Sequence, residues 1–260
     1  MHPLLNIAVR AARRAGGTIV RSLNRLDSIK VASKGRNDFV SEVDRAAEQD
    51  IIETVQRSYP EHAFLAEESG SIGESDTVWI IDPLDGTTNF LHGFPVFAVS
   101  IAVREKGLVT HGVIYDPLRQ ELFTASRGAG AQLDGRRIRV SERRTLDQAL
   151  IGTGFPFLGK TDALERYLPM FESVISKTAG IRRPGAASLD LAYVAAGRLD
   201  GFWELGLKPW DMAAGALMIV EAGGRVADLQ GSDRFIETGE IVAGSPRIFD
   251  ALIKALPPES

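Results

Sequence analysis

The feature that most constrains the fold is a nearly continuous apolar run, Thr77–Ile81, which ends at the carboxylate of Asp82. Apolar side chains at successive positions point to opposite faces of a strand, so both faces must be covered. The run therefore predicts a strand that is buried on both sides and delivers an acidic side chain at its end.

The order of predicted elements divides the chain into two subregions. Residues 1–147 carry helices near 3–26 and 43–58 and then several strands joined by short turns, including a hairpin with Asp134-Gly135 at its tip. Residues 148–260 alternate helices with short strands, the pattern of an α/β layer. No linker or repeat separates them, so we expect a single domain over 1–260 with a site at the junction.

Composition excludes several kinds of chemistry. The 260 residues include no cysteine, which removes disulfides, thiolate nucleophiles and cysteine-based metal sites. The four histidines are scattered, so oxygen atoms would have to hold any metal. A net charge of −4 argues against general nucleic-acid coating.

Nothing in the chain predicts a membrane span, because no apolar stretch reaches 18 residues. Residues 1–26 are rich in arginine and lack acids, which also suits a mitochondrial presequence. A helical stripe of apolar residues favours a helix of the fold instead, and we predict a cytoplasmic protein.

The densest chemical signal follows the apolar run, in the string Asp82–Thr88, which reads Asp-Pro-Leu-Asp-Gly-Thr-Thr. Pro83 is expected to end the strand, Gly86 allows close backbone approach, and Thr87 opens a helical turn. Carboxylate and carbonyl oxygens suit magnesium, and amides at a helix start suit phosphate. The string predicts a metal-assisted phosphoryl-transfer site, with a simple helix-capping turn as the alternative.

Two further acidic positions also follow predicted strands. Glu67-Glu68 lies within twenty residues of the first string and is either a solvated loop or a source of a third metal ligand. Asp211, in Trp210–Gly215, precedes an apolar helix and is either an N-cap or part of the same site. Dinucleotide fingerprints, a Walker A lysine motif and a Gly-x-Ser-x-Gly elbow are incomplete or absent.

Together, Trp79–Phe90 and Trp210–Gly215 resemble the two signatures of the inositol monophosphatase family, in its bacterial branch. The resemblance extends from about residue 4 to 256. It implies a five-layer α-β-α-β-α sandwich of the sugar-phosphatase type, an α/β (layered α+β) fold that is usually a homodimer. It also implies magnesium-dependent, lithium-inhibited hydrolysis of phosphate monoesters, above all of myo-inositol 1-phosphate.

The resemblance also implies a ligand set for two or three magnesium ions. The first ion would be held by Glu67, Asp82 and the carbonyl of Leu84. The second would be held by Asp82, Asp85 and Asp211. A weaker third ion would rest on Glu67 and water.

The implied substrate contacts come from neighbouring turns. The amides of Gly86 and Thr87 would hold the phosphate, while Thr87 and Asp44 would orient and deprotonate the attacking water. Catalytic roles would thus fall to Thr87, Asp44 and Glu67. The substrate would meet Leu84, Asp85, Gly86, Thr87, Arg182, the backbone at Ala187, Glu204 and Asp211.

Two of these positions have competing structural explanations. Ser41-x-x-Asp44 opens the second predicted helix as a capping box, so Asp44 has both a capping and a catalytic interpretation. Arg182-Arg183 is either part of the pocket or an arginine pair at a surface or subunit interface.

The expected reaction is a direct in-line attack of a metal-activated water, without a phosphoenzyme. Fructose bisphosphate, histidinol phosphate and phosphoadenosine nucleotides are alternative substrates. Bacterial proteins of this kind are also associated with ribosomal-RNA transcription complexes, so a protein- or RNA-binding role in antitermination is the alternative of a different class. The candidates for its surface are Arg10, Arg13 and Arg14, or the arginines at 136, 137, 139, 143 and 144, with solvated helix and hairpin faces as the alternative.

Overall fold

The computed structural model describes residues 2–29, 31–35, 38–156 and 161–256. Two 3₁₀ segments, Leu23–Ser28 and Leu146–Gln148, accompany the regular elements. The α-helices are α1 (Pro3–Ser22), α2 (Glu42–Gln56), α3 (Thr87–Leu91), α4 (Thr161–Ile175), α5 (Ala187–Ala195), α6 (Pro209–Glu221), α7 (Phe235–Thr238) and α8 (Pro246–Ala255). The strands are β1 (Val31–Gly35), β2 (Asp38–Ser41), β3 (Ala63–Ala66), β4 (Gly70–Ile72), β5 (Thr77–Asp85), β6 (Ala98–Glu105), β7 (Leu108–Asp116), β8 (Glu121–Ser126), β9 (Gly130–Leu133), β10 (Arg136–Arg137), β11 (Leu150–Thr153), β12 (Gly180–Arg182), β13 (Gly201–Leu205), β14 (Arg225–Ala227) and β15 (Glu240–Gly244).

Two larger sheets and three pairs of helices form alternating layers. The eight-stranded sheet has the order β10-β9-β8-β7-β6-β5-β3-β4, and the five-stranded sheet has the order β12-β11-β13-β15-β14. Helices α1 and α2 cover the outer face of the large sheet, and α5 and α6 fill the space between the sheets. Helices α4 and α8 cover the outer face of the small sheet, which confirms the predicted α-β-α-β-α sandwich.

The central strand β5 shows why this layering suits the sequence. Trp79 and Ile81 pack into the core under α1 and α2, whereas Ile80 packs on the opposite face against α5 and α6. All three side chains are at most 2% exposed. The prediction of a strand buried on both faces is therefore confirmed.

Pro83 does not end β5 as the sequence analysis expected. The strand continues to Asp85, because an extra residue is accommodated as a bulge where Asp82 pairs with Ser100 and Asp85 pairs with Ala98. A bulge leaves one residue outside the ladder, so a residue without an N–H is tolerated there.

Other predicted elements agree with the structure apart from their ends. The tip of the β9–β10 hairpin has positive φ at Asp134 and Gly135, +50° and +77°, as a tight two-residue turn requires. Helix α1 ends at Ser22 and gives way to the 3₁₀ segment, where Arg25 has a non-helical φ of −139°. Within the described ranges, no helix is both long and apolar enough to span a bilayer.

Candidate active site

A cavity of about 810 Å³ opens where the bulge of β5 meets the amino-terminal ends of α5 and α6. Its walls combine residues before position 148 with residues after it. Neither Asp44 nor Arg182 is among the residues that line it. The expected site residues that do line it are Glu67, Asp82, Leu84, Asp85, Gly86, Thr87, Ala187, Glu204 and Asp211.

The bulge fixes the two acids of β5 in different ways. The Oδ1 atom of Asp82 accepts a hydrogen bond from the amide of Leu84 at 3.0 Å, which closes the bulge locally. The Oδ2 atom of Asp85 reaches α5, where it accepts from the amide and the hydroxyl of Ser188 at 2.7 and 2.5 Å. Asp85 thus ties the large sheet to the start of α5.

These buried carboxylates act strongly on one another. Burial raises the pKa of Asp82 well above its usual value, and the charges of Glu67, Asp85 and Asp211 raise it further. Burial, followed by the charge of Asp85, also raises the pKa of Asp211, against the hydrogen bond from Lys208. Burial raises the pKa of Asp85 to about 6, although its bonds to the start of α5 oppose the shift.

Clustered acids with raised pKa values indicate a place where a cation would relieve repulsion. Every donor here is an oxygen atom, which is the donor that magnesium prefers. Within the described ranges, no group of three or more histidine, aspartate or glutamate side chains is already drawn together around one metal position. The donor chemistry thus fits magnesium, while the assignment of each ligand is a proposal.

Asp211 is not the N-cap of α6. That helix begins at Pro209, so Asp211 is its third residue. Its Oδ2 accepts from the amide of Lys208 at 2.7 Å, which satisfies a donor at the start of the helix. The acid therefore stabilises the helix start and lines the cavity at the same time.

Asp44 forms the predicted capping box and also contacts Thr87, while its catalytic role stays a prediction. It is fully buried, and its Oδ2 accepts from the amide and hydroxyl of Ser41 at 2.9 and 2.5 Å, completing the capping box. Its Oδ1 accepts from the hydroxyl of Thr87 at 2.8 Å. Burial raises the pKa of Asp44, while the hydrogen bonds from Ser41 and Thr87 lower it.

The turn at Gly86 requires glycine. Its φ is +90°, and a Cβ atom there would lie 2.9 Å from the carbonyl oxygen of Val96. Helix α3 begins at the next residue, Thr87, whose hydroxyl also lies 3.1 Å from the carbonyl of Leu84. Gly86 and Thr87 both line the cavity that also carries the acids.

A residue that the sequence analysis missed supports Glu67. The amide of Glu67 bonds to the carbonyl of Ile81 at 3.1 Å, and the turn that follows is held by Glu48 of α2. The buried Glu48 carboxylate accepts from the amide of Glu68 at 2.9 Å and from the hydroxyl of Ser69. Glu48 lies within an amphipathic helix, and its only unusual feature in the sequence is that it is an acid on the apolar face.

Glu204 of β13 lies against the backbone of Gly154. A Cβ atom at Gly154 would fall 1.8 Å from a carboxylate oxygen of Glu204, so only glycine leaves space for this side chain. Burial raises the pKa of Glu204 to about 8, and the charge of Asp211 adds to the shift. The nearby guanidinium of Arg183 lowers the pKa in opposition.

The arginine at the cavity is Arg183, not Arg182. Arg182 is exposed and donates to the carbonyl of its neighbour Ile181 at 2.9 Å. Arg183 lines the cavity with its guanidinium 5.1 Å from the ring centre of Phe155. The structure therefore does not support the expected role of Arg182.

Asp190 is a buried acid at the cavity that the sequence analysis missed. It is 1% exposed, its Oδ1 lacks a hydrogen-bond partner, and burial raises its pKa well above the usual value. The charges of Glu204 and Asp85 raise it further, whereas Arg183 lowers it. The sequence could have indicated this residue, because it is a single acid within the apolar helix predicted at 186–197.

This fold and this acidic cavity define a class of phosphatases, and the sequence agrees. The chain matches the inositol monophosphatase family over residues 1–259, and it belongs to that family.

Similar proteins carry two kinds of name. The Nus factor SuhB of Pseudomonas aeruginosa PAO1 is 60% identical, with 99% of this chain and 97% of that protein covered. The extragenic suppressor protein suhB of Bartonella henselae has a crystal structure that superimposes with a TM-score of 0.96 at 47% identity, covering 100% of both chains. The inositol monophosphatase of Anabaena superimposes with a TM-score of 0.85 at 38% identity, covering 98% of this chain and 96% of that one.

Proposed function

We propose that this chain is a magnesium-dependent phosphatase whose preferred substrate is myo-inositol 1-phosphate. The observation that carries the proposal is the set of buried carboxylates that raise one another's pKa values around the β5 bulge. Family membership supports a phosphatase in general. We further infer that residues 1–260 act as one domain, with the site at the junction of 1–147 and 148–260.

In this proposal the metal is held by oxygen atoms alone. Two ions, or three, would be bound, and lithium would inhibit by occupying part of the same site. When bound, magnesium neutralises phosphate charge, makes water more acidic and stabilises the leaving oxygen. The ligands would be Glu67, Asp82, the Leu84 carbonyl, Asp85 and Asp211.

The chain's own groups then position the reactants. The amides of Gly86 and Thr87 hold the phosphate oxygens at the start of α3. The Thr87 hydroxyl orients a water in line with the bond to the leaving oxygen, takes a proton from it and passes its own proton to Oδ1 of Asp44, 2.8 Å away. Because burial raises the pKa of Asp44, this carboxylate is a stronger base than an exposed aspartate.

The far wall would recognise the alcohol. Glu204 accepts hydrogen bonds from substrate hydroxyls, and the backbone at Ala187, where α5 begins, lies on the same wall. The water attacks phosphorus directly and no phosphoenzyme forms. We also propose that the protein is a cytoplasmic homodimer, as the family resemblance implies.

The deciding experiment measures phosphate release from myo-inositol 1-phosphate with and without magnesium. We expect release only with the metal, loss in excess chelator, and loss in Asp82→Asn with the fold intact by circular dichroism. Fructose bisphosphate, histidinol phosphate and phosphoadenosine nucleotides, tested in parallel, should turn over more slowly. Undiminished release in chelator would reject the metal-dependent mechanism.

A second candidate function follows from the relatives named Nus factor SuhB. We propose that this chain also joins transcription complexes, through a surface separate from the cavity. Arg136 and Arg137 form the edge strand β10 of the large sheet and are exposed, so they are available to a partner protein or RNA. If the two functions are separate, the inactive Asp82→Asn variant should retain this role in cells. The double variant Arg136→Glu, Arg137→Glu should lose it and keep phosphatase activity.

A further inference from the structure

Arg183 is an exposed residue that lines the cavity, and the backbone of the residue after it is held by hydrogen bonds. The side-chain amide of Asn89 donates to the carbonyls of Val96 and Pro184, at 2.8 and 2.9 Å. This clamp joins the segment after Arg183 to the short helix that follows the β5 bulge. Arg183 is therefore placed with respect to the proposed phosphate site.

The guanidinium is also held, on two sides. One face stacks over Phe155, and Nη1 lies so close to Gly185 that a Cβ atom there would be 2.8 Å away. Within the described residues, the structure records no ion pair for this guanidinium. An arginine that stacks through its face retains its in-plane N–H groups as donors.

Hydrogen-bond acceptors lie in the same cavity as this donor. Glu204 and Asp190 line the cavity with Arg183, and the charge of Arg183 is felt at both carboxyl groups. A carboxylate accepts hydrogen bonds and a guanidinium donates them. Neighbouring hydroxyls of a polyol need both, because each hydroxyl donates one proton and accepts through its oxygen.

We propose that Arg183 is a specificity-determining residue that donates to hydroxyl oxygens of the leaving alcohol while Glu204 accepts from them, so that polyol phosphates are preferred. This rests on the proposed phosphatase function and deepens it. The acids and the turn of residues 82–87 bind the phosphate group, whereas Arg183 contacts the alcohol part of the substrate. Changes at Arg183 should consequently affect substrates according to their alcohol.

The test compares Arg183→Ala with the matched control Arg182→Ala on two substrates. Myo-inositol 1-phosphate has a polyol leaving group, whereas p-nitrophenyl phosphate has a nitrophenolate leaving group without further hydroxyls. We expect Arg183→Ala to lower kcat/KM for the inositol phosphate by roughly tenfold to a hundredfold, the scale of a lost charged hydrogen bond, and to leave kcat/KM for p-nitrophenyl phosphate nearly unchanged. Arg182→Ala should alter neither.

A binding measurement accompanies the kinetics. Free myo-inositol should inhibit p-nitrophenyl phosphate hydrolysis more weakly in Arg183→Ala, in proportion to the lost preference. Arg183→Lys keeps the charge without the planar fork, so it should lose part of the preference and also covers the case in which the alanine variant misfolds.

Three outcomes would overturn the inference. Equal losses on both substrates would assign Arg183 to phosphate binding or to structure, and unchanged kinetics on both would remove it from recognition. A wild-type protein that hydrolyses neither substrate would reject the proposed function and this inference together. The first two outcomes, obtained with an active wild-type protein, would reject the inference alone.

Discussion

At the scale of single residues, the hydroxyl of Thr87 is the group whose geometry is most informative. It has one proton and two acceptors, Oδ1 of Asp44 at 2.8 Å and the carbonyl of Leu84 at 3.1 Å. The shorter contact leads to the buried carboxylate. A hydroxyl that donates to a buried carboxylate can either relay a proton from water or attack phosphorus itself, and we expect the relay.

Replacing Thr87 should therefore slow catalysis and spare the fold. We expect Thr87→Ala to lower kcat by about a hundredfold or more, the usual scale for a lost proton-transfer group, while Thr87→Ser retains most activity. Hydrolysis of a chiral, isotope-labelled phosphate ester should invert configuration at phosphorus, since one in-line displacement inverts. Retention of configuration, or phosphate trapped on Thr87, would mean that the hydroxyl is the nucleophile.

The sequence identified the acids of the site more readily than their supports. Asp82 and Asp85 could be predicted because they stand beside a buried strand, a proline and a glycine within a few positions. Ser188 could not, because its role depends on a contact formed only when α5 packs against the β5 bulge. The pair Arg182-Arg183 was identified, but the substrate contact was assigned to Arg182, because adjacent residues in a chain do not reveal which side chain faces a cavity.

At the scale of elements, the β5 bulge and helix α2 show how the site is assembled. The sequence indicated that Pro83 stops the strand, since proline cannot donate to a ladder. In the structure the strand continues past Pro83 because a bulge accommodates one extra residue. The bulge depends on the pairing of β5 with β6, so it cannot be predicted from the residues of β5 alone. Helix α2 also supports the site, because the carboxylate of its Glu48 accepts a hydrogen bond from the turn after β3.

Glu48 should consequently affect metal binding through Glu67. We expect Glu48→Gln to weaken magnesium affinity by roughly tenfold, the scale seen when a partner of a metal ligand is altered, with kcat largely restored at saturating magnesium. Titration calorimetry and the magnesium dependence of activity measure this. Glu42→Gln makes the same charge change at an exposed position of α2 and is the control. Equal effects of the two variants would contradict a positioning role.

At the scale of the whole molecule, the layers bring acids from distant parts of the chain into one buried cavity. Asp82 comes from the large sheet, Glu67 from the turn after β3, Asp211 from the middle helix α6 and Glu204 from the small sheet. The raised pKa values of Asp82, Asp211 and Glu204 mean that the folded, metal-free protein holds protons more tightly than the unfolded chain does. Either bound magnesium or protonation at low pH should therefore stabilise the folded state, because each reduces the repulsion among these carboxylates.

The resulting pH dependence can be measured without turnover. A carboxyl group whose pKa is raised on folding, from 4.5 to about 8 for Glu204, makes the folded state bind more protons, so stability falls as pH rises through that window. His62 and His111 have lowered pKa values and act in the opposite direction, mainly below their ordinary value of 6.5, and this effect fades within about one pH unit above it. We therefore expect the Tm of metal-free protein to fall by about 2 °C or more between pH 6.5 and 8.

Added magnesium should reverse this fall at pH 8, because a ligand that binds only the folded state stabilises it. Glu204→Gln should flatten the profile by removing one titrating group, whereas Glu165→Gln, at an exposed position of α4, should leave the slope unchanged. Differential scanning calorimetry in chelator gives the profiles. A metal-free Tm that rises from pH 6.5 to 8 would show that these acids are already ionised in the folded protein, and the picture of a repulsive cluster relieved by magnesium would fail.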